Sequence, residues 1–579
     1  MATIISRPIH AEKNELIVTS NGIASSPSDP KEEIRLSNSA IEALNLGIPA
    51  DEKKFWWQRG KGYDADATAT MPSVFDDPET AKHYQPRADW ENLHRFDPSA
   101  RWTWREEYAI IRKIDWRIMI FACVMFMSLE LDRANLTQAV TDNFLGDLGM
   151  NTNDYNWGNT VFKLSFLCAE LPSQLVSKWM GPDRWIPTQM VLWSIVAGSQ
   201  FWLSGRSSFL ACRALLAILQ GGFIPDMILY LSYFYKHGEL SLRLGFWWTA
   251  MSIADIIASF LGAGLLNLRG HLGYAGWRWL FLIEGLLTLT LGLIAFVLMP
   301  PSPTQTANWA RGKKGWFTER EEIIMVNRII REDPSKSTMH NRQPITPKLL
   351  WQSLTDYDLW PLYLIGLTFQ IPMTTPTQYL TLTLKQLGFG TIKTNLLVVP
   401  STVGHIITML TVTYLAEISS QLWLWGLIGQ LWALPCLAYI YAVDINSIPK
   451  WSAFGVMTVL LSYPNTHAIQ VGWNSRNSNS VRSRTVSAAM YNMCCQAGGI
   501  IASNVYRQDD RPRYLRGNRV LVSITVVNIA IYILAKLYYV LRNRRRDTTW
   551  NAMTEEQRAE YLATTTDKGN KRLDFRFAS

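Results

Sequence analysis

Apolar and polar positions along this chain separate into long blocks. Residues 1–113, about 300–357 and 542–579 are polar, and the rest is dense in Leu, Ile, Val, Phe and Trp. A helix that crosses a bilayer needs about 20 mostly apolar residues. Twelve stretches meet that need: about 116–138, 157–177, 185–204, 208–234, 245–268, 277–299, 358–384, 392–415, 421–443, 451–473, 485–505 and 518–541. Six precede the polar stretch "SPTQTANWARGKKGWFTEREE" and six follow it. The pattern predicts an all-α polytopic membrane protein with twelve transmembrane helices in two six-helix halves. Its divisions are a largely disordered N-terminal tail (1–113), an N-terminal bundle (114–299), a central loop (300–357), a C-terminal bundle (358–541) and a C-terminal tail (542–579).

Lys and Arg in the connecting loops set the orientation. The loop after span 1, "TDNFLGDLGMNTNDYN", has neither residue, whereas loops 2–3 and 4–5 carry two each and the central loop carries nine. "RNRRR" follows the last span. Both termini are therefore read as cytoplasmic, with five Arg in loop 11–12, "YRQDDRPRYLRGNR", as the exception. Thr318 and Glu321 form a capping box before "IIMVNRII", which predicts an amphipathic helix under the membrane domain. Thr554 and Gln557 begin a second such helix in the C-terminal tail.

Composition narrows the function. The 25 Trp and 22 Tyr suit aromatic belts at two membrane surfaces. The net charge of +9 sits mostly in loops and tails, and without a nucleic-acid-binding motif it is assigned to the membrane surface rather than to DNA or RNA. The six cysteines (Cys123, Cys168, Cys212, Cys436, Cys494 and Cys495) lie in apolar segments, with neither disulfide nor zinc spacing. No metal site, cofactor or enzyme chemistry is expected, and without a Walker motif ATP is not the energy source.

Four stretches resemble the major facilitator superfamily, and more narrowly its fungal anion:cation symporters, the allantoate-permease-like group. They are "LDRANLTQA" in span 1, "LPSQLVSKWMGPDRW" at span 2 and its loop, "CRALLAILQGGFIPD" in span 4 and "GWRWLFLIEG" in span 6. The pattern is similar to the branch that takes up sulfonates and other sulfur-containing anions. The resemblance covers about residues 101–550. It implies the major facilitator fold, with helices 1, 4, 7 and 10 around a central site and alternating access by rocking of the halves.

Charges inside spans are costly and mark candidate sites. Arg133 and Arg213 lie at similar depth in spans 1 and 4, and the guanidinium fork matches a carboxylate, sulfonate or sulfate. Glu130 and Asp132 are expected to neutralise the two arginines and, with Asp255 in span 5, to carry the coupling proton. The family pattern commonly has a glutamate seven residues after the span-4 Arg. Here that position is Gln220, which cannot titrate, so Asp132 becomes the favoured carrier. Gln220, Gln370, Thr374, Gln378, Tyr379, Asn465, His467 and Asn492 are candidate substrate contacts, each weighed against an ordinary helix–helix hydrogen bond. His405 and Lys163 receive the structural reading. Asp226 reads as a gate or structural residue, and Gly181, Asp183 and Arg184 in loop 2–3 as gating.

The combined expectation is a monomeric, proton-coupled importer of small anions at a fungal plasma membrane, with sulfonate, sulfate or a related sulfur compound favoured. Its partners are the anion, protons and the lipid bilayer. The alternatives are a carboxylate or ureide, vitamin-anion or amino-acid permease of the same family. A drug exporter is disfavoured because "SIADIIASFLGAGLL" in span 5 lacks proline. A nutrient sensor that binds without transporting is the rival from another class.

Overall fold

The computed structural model describes residues 15–19, 33–37 and 45–47 and, apart from short gaps, 64–333 and 351–578. The readings for the rest of the N-terminal tail and for 334–350 lie outside the described residues. Twelve long helices follow in order, with α1 at Ile120–Ala139, α2 at Thr152–Met180 and α3 at Pro182–Ser199. Next come α4 at Arg206–Ser232, α5 at His237–Leu265 and α6 at Gly276–Leu298. The second half has α7 at Trp360–Thr368 continuing as Ile371–Gln386, and α8 ending at Val399–Ser419. It closes with α9 at Leu422–Ala442, α10 at Lys450–Leu461 and His467–Asn477, α11 at Val481–Ser503 and α12 at Leu515–Ala552. An antiparallel pair of strands, β1 (Glu15–Thr19) and β2 (Glu33–Ser37), lies in the N-terminal tail. Six of the twelve helices are long and apolar enough to cross a membrane by length and composition alone. Of the others, α2 carries Lys163 and Glu170, and α7 and α10 are each built in two pieces.

Within the first half α6 packs along α3, α4 along α2, and α5 along α1; the second half pairs α9 with α12 and α7 with α11. The halves meet along α2–α11 and α5–α8. Three helices are interrupted near mid-length. In α4 the break falls at Gly221–Gly222, where a Cβ on Gly222 would collide with the Ser173 side chain. The second piece of α7 begins with Pro372 in its first turn, and Pro464 lies in the gap of α10. Proline supplies no N–H and clashes with the preceding turn, so a break there is its ordinary consequence.

One face of the bundle carries the tails and the central loop. The loop helix is capped by Thr318 and Glu321, as the capping box predicts, and runs Glu319–Glu332. It is more deeply covered than an amphipathic helix resting on a surface. Residues 64–103 cross over it, and Val74, Phe75 and Trp90 pack on Val326 and Ile330. Polarity alone predicts no structure for that part of the tail. Ion pairs supply what composition does not show: Arg331 to Asp76 at 2.5 Å and Arg95 to Glu322 at 2.9 Å. Arg328 is enclosed between Glu239 at 2.9 Å and Glu107 at 3.5 Å. The C-terminal tail is likewise pinned. Phe577 is buried beside Tyr539, Trp473 Nε1 donates to Ala578 O at 2.8 Å, and Lys571 reaches Asp356 and Asp358.

At the far face the halves share a core. Phe144, Trp277 and Phe281 of the first half belong to the same buried cluster as Tyr379, Leu437 and Tyr506 of the second. The exceptional loop 11–12 is partly neutralised there. Arg516 pairs with Asp509 and Asp510, and Arg513 caps the C-terminus of α9 by donating to Ala442 O at 3.2 Å. A basic residue at a helix C-terminus meets the negative end of the dipole, so part of this loop's charge serves local structure.

Candidate functional site

The site is built around one aromatic ring. Phe162 on α2 lies under the guanidinium of Arg213, 4.3 Å from its centroid, and under that of Arg133 at 5.8 Å. Phe166, one turn further along α2, faces Arg133 at 5.1 Å. The rings hold the two cations at one level, as equal depth in α1 and α4 predicts. Arg133 Nε donates to Gln220 Oε1 at 3.1 Å, and Arg213 Nη2 to Asn159 Oδ1 at 3.5 Å. Arg133 Nη2 and Arg213 Nε are buried and meet no acceptor within the protein. Lys163, on the next position of α2, brings a third cation close to Arg213. It also crosses to the other half, donating to Gly499 O at 2.7 Å and Ser503 Oγ at 3.1 Å. The structural reading of Lys163 misses this nearness to Arg213.

The acids divide differently from the sequence expectation. Glu130 faces Arg133, with Nη1 and Oε2 3.6 Å apart, and Asp255 of α5 lies beside Glu130. Asp132 does not join them. Successive helical residues point about 100° apart, so Asp132 cannot share the face of Arg133. It is buried against α3 and α6, accepting from Trp193 Nε1 at 3.1 Å. Beside it sits Glu284 of α6, also buried. Glu284 stands in the quoted motif "GWRWLFLIEG", and a charge within a 23-residue apolar helix is the signal that marks it. Glu170 on α2, reached by Asn492 Nδ2 at 3.4 Å, carries the same signal.

The other candidates scatter. Gln220 is fully buried and holds Arg133 rather than lining open space. Gln378 Nε2 donates to Ser503 Oγ at 3.3 Å. Tyr379 is buried at the far face, donating to Asn156 Oδ1 at 2.6 Å, and so joins the contacts between the halves there. Asn465 caps its own turn by accepting from His467 N at 3.0 Å. The His467 ring is parallel to Phe369, 6.1 Å away, and within 6.5 Å of Trp248 across the halves. Gln370 stands at the break of α7 with Thr374 one turn on, both half-buried. His405 Nδ1 is 2.8 Å from Tyr463 O, a helix–helix contact within the second half. In loop 2–3, Gly181 adopts φ +88°, Asp183 lies near Tyr230 and Arg311, and Arg184 O accepts from Thr188. Asp226 is buried at the start of the second piece of α4, next to the Gly222 break.

Hydrogen bonds between the halves concentrate from this level to the far face. Thr381 donates to Thr137 O at 2.9 Å, Asn156 to Tyr506 O at 2.7 Å, Tyr155 to Gln378 O at 3.2 Å and Asn504 to Thr160 Oγ1 at 2.7 Å. Towards the tail face, the described inter-half hydrogen bond is that of Asn492 with Glu170.

Two six-helix halves, interrupted helices and buried charges at mid-depth define a multi-pass membrane transporter, a class that moves small molecules rather than transforming them. Residues 119–503 match the model of the Major Facilitator Superfamily, and the chain belongs to that family. It is 46% identical over 520 residues to an uncharacterized transporter of Saccharomyces cerevisiae, covering 89% of this chain and 95% of the relative. It is 25% identical over 445 residues to the MFS-type transporter efuF of Hormonema carpetanum, covering 76% and 86%. A bacterial homolog of the human lysosomal transporter Spinster, crystallised inward-facing and occupied, aligns with a TM-score of 0.54 at 14% identity. That alignment covers 72% of this chain and 96% of the other, a likeness of fold alone.

Proposed function

We propose that this protein is a proton-coupled importer of small anions, with sulfonate or sulfate favoured, at a fungal plasma membrane. One observation carries the reading: two guanidinium groups share the Phe162 ring, and each keeps a buried N–H without an acceptor. A buried donor left unpaired costs about 1–3 kcal/mol, and an anion between the arginines relieves both. The tetrahedral oxygens of a sulfonate or sulfate accept from two forks at once.

Glu130 is the acid such an anion displaces. Once separated from Arg133 in a poorly hydrated space, its carboxylate is disfavoured and takes up a proton. Asp255 beside it shares that load. Binding of anion and proton then support each other, as symport requires. With the tails cytoplasmic, the closed far face makes this the inward-facing state. The test is uptake of labelled sulfate, a sulfonate, a dicarboxylate and allantoate into yeast lacking endogenous permeases. Acid-stimulated uptake of at least one anion is the expected result. Surface-expressed protein that binds an anion and accumulates none would establish the sensor reading instead, and uptake of neutral or cationic compounds alone would overturn the anion site.

A further inference from the structure

A second group of buried polar atoms lies on the other side of α1. Asp132 Oδ1, both carboxyl oxygens of Glu284, both amide atoms of Asn135 and the Thr288 hydroxyl are buried and fall outside ordinary hydrogen-bond geometry, with Thr288 approaching Asp132 and Asn135 approaching Glu284. All four residues are almost wholly enclosed, with exposures of 1% or less. They come from α1 and α6, with Trp193 of α3 as the third wall.

The charges around them are one-sided. From α1 the pair is faced by Asn135, from α6 by Thr288 and from α3 by Trp193, none of them a cation. Arg133 is turned to Gln220 and the α2 rings, and Asp255 of α5 faces Glu130 instead. Two neighbouring carboxylates without a cation in a membrane interior repel one another and lose their hydration, so both do not stay ionised.

We propose that Asp132 and Glu284 form a proton-holding carboxyl pair, sealed inside the first six-helix half and separate from the anion path. A carboxyl O–H donates to the neighbouring carboxylate, and Asn135 and Thr288 satisfy the remaining lone pairs. The proton comes from water and returns to water when α1 shifts against α6. Because Asp132 and Arg133 are consecutive residues, an anion pulling on Arg133 from one side of α1 acts on the pair through the backbone. The coupling is mechanical rather than by direct exchange. This deepens the proton-coupled reading above and rests on it.

The test begins without substrate. Infrared spectra of the purified full chain in lipid, titrated through neutral pH, read the C=O stretch of protonated carboxyl groups. A component of the band is expected near neutral pH in the natural protein, to move in frequency in Glu284→Gln and in Asp132→Asn, where the remaining carboxyl has lost its partner, and to be absent when both are changed. Glu319→Gln, on the exposed loop helix, leaves it unchanged. Asp132→Glu retains it and guards against misfolding of the amide variant. A band identical in the natural protein and in the variant with both changes overturns the proposal. So does loss of the band on adding sodium to the natural protein, which assigns the oxygens to a metal cation. In cells, Glu284→Gln shifts the pH of half-maximal sulfate uptake by about one unit, with sulfate affinity held within about twofold; an unmoved profile overturns the coupling. The infrared result stands apart from transport, so absence of anion uptake by the natural protein sinks the function without deciding the pair.

Discussion

Phe162 makes the arginine site a matter of planes as much as of charge. A guanidinium stacks flat on a ring and still presents its edge to an anion, whereas an ammonium has no plane to stack. Arg213→Lys is therefore expected to weaken sulfate binding by about tenfold to a hundredfold at equal surface expression, the loss of one or two charge-assisted hydrogen bonds. Unchanged affinity by scintillation proximity would count against a two-pronged site. Gln220→Glu places a carboxylate where Arg133 now meets a neutral amide. While ionised it competes with the incoming anion, so uptake is expected to move towards acid; an unshifted profile would show that Arg133 is not the anion's partner. Arg133, Arg213 and Glu130 were legible in the sequence because charge inside an apolar span is rare. The separation of Asp132 from Arg133 follows from the same arithmetic of 100° per residue. What the sequence does not show is which neighbouring helix each face meets, and Trp193 and Glu284 settle that only in three dimensions.

At the scale of elements, three helices are interrupted near mid-length and the far face gives the halves a catch. The sequence pattern finds all twelve spans, since apolar length is a one-dimensional property. It treats spans 7 and 10 as continuous, although Pro372 and Pro464 stand in them as visible breakers. Tyr379 is a candidate ligand contact in sequence, where nothing marks which end of a helix is closed. Its bond to Asn156, and that of Asn156 to Tyr506 O, make it part of the catch. Asn156→Ala removes both bonds. At about 1 kcal/mol for each, the share of molecules open at the far face is expected to rise by up to about thirtyfold. Thiol labelling of a cysteine placed at Gln378 measures this, and an unchanged labelling rate would show that the shared apolar core alone holds that end shut.

At the scale of the whole molecule, the polar tails are part of the fold. Asp358, just before α7, shows how. Burial alone would raise its carboxyl, but hydrogen bonds from Arg542, Lys571 and Tyr538 outweigh that and hold it below its ordinary value of 3.8. A depressed carboxyl stabilises the fold above its unfolded value and loses that contribution as pH falls through the folded one. The expected outcome is a melting temperature that drops more steeply below about pH 4 in the natural protein than in Asp358→Asn. Near neutrality the variant itself is expected to be less stable by about 2 kcal/mol. Parallel curves would show that the C-terminal tail is held by Phe577 rather than by the ion pairs. These tail contacts were illegible from composition because each joins residues far apart in the chain, such as Lys571 with Asp356, whose polarity individually reads as solvated.

The catch at the far face rests in part on main-chain acceptors: Thr137 O, Gln378 O, Tyr506 O and Gly499 O. Every amino acid offers that same oxygen. Mutation at those four positions therefore leaves the acceptor in place, and these bonds ask only that the donor side chains, Thr381, Tyr155, Asn156 and Lys163, be kept. Descendants of this chain can change at those acceptor positions, one side chain at a time, while inheriting the same way of shutting.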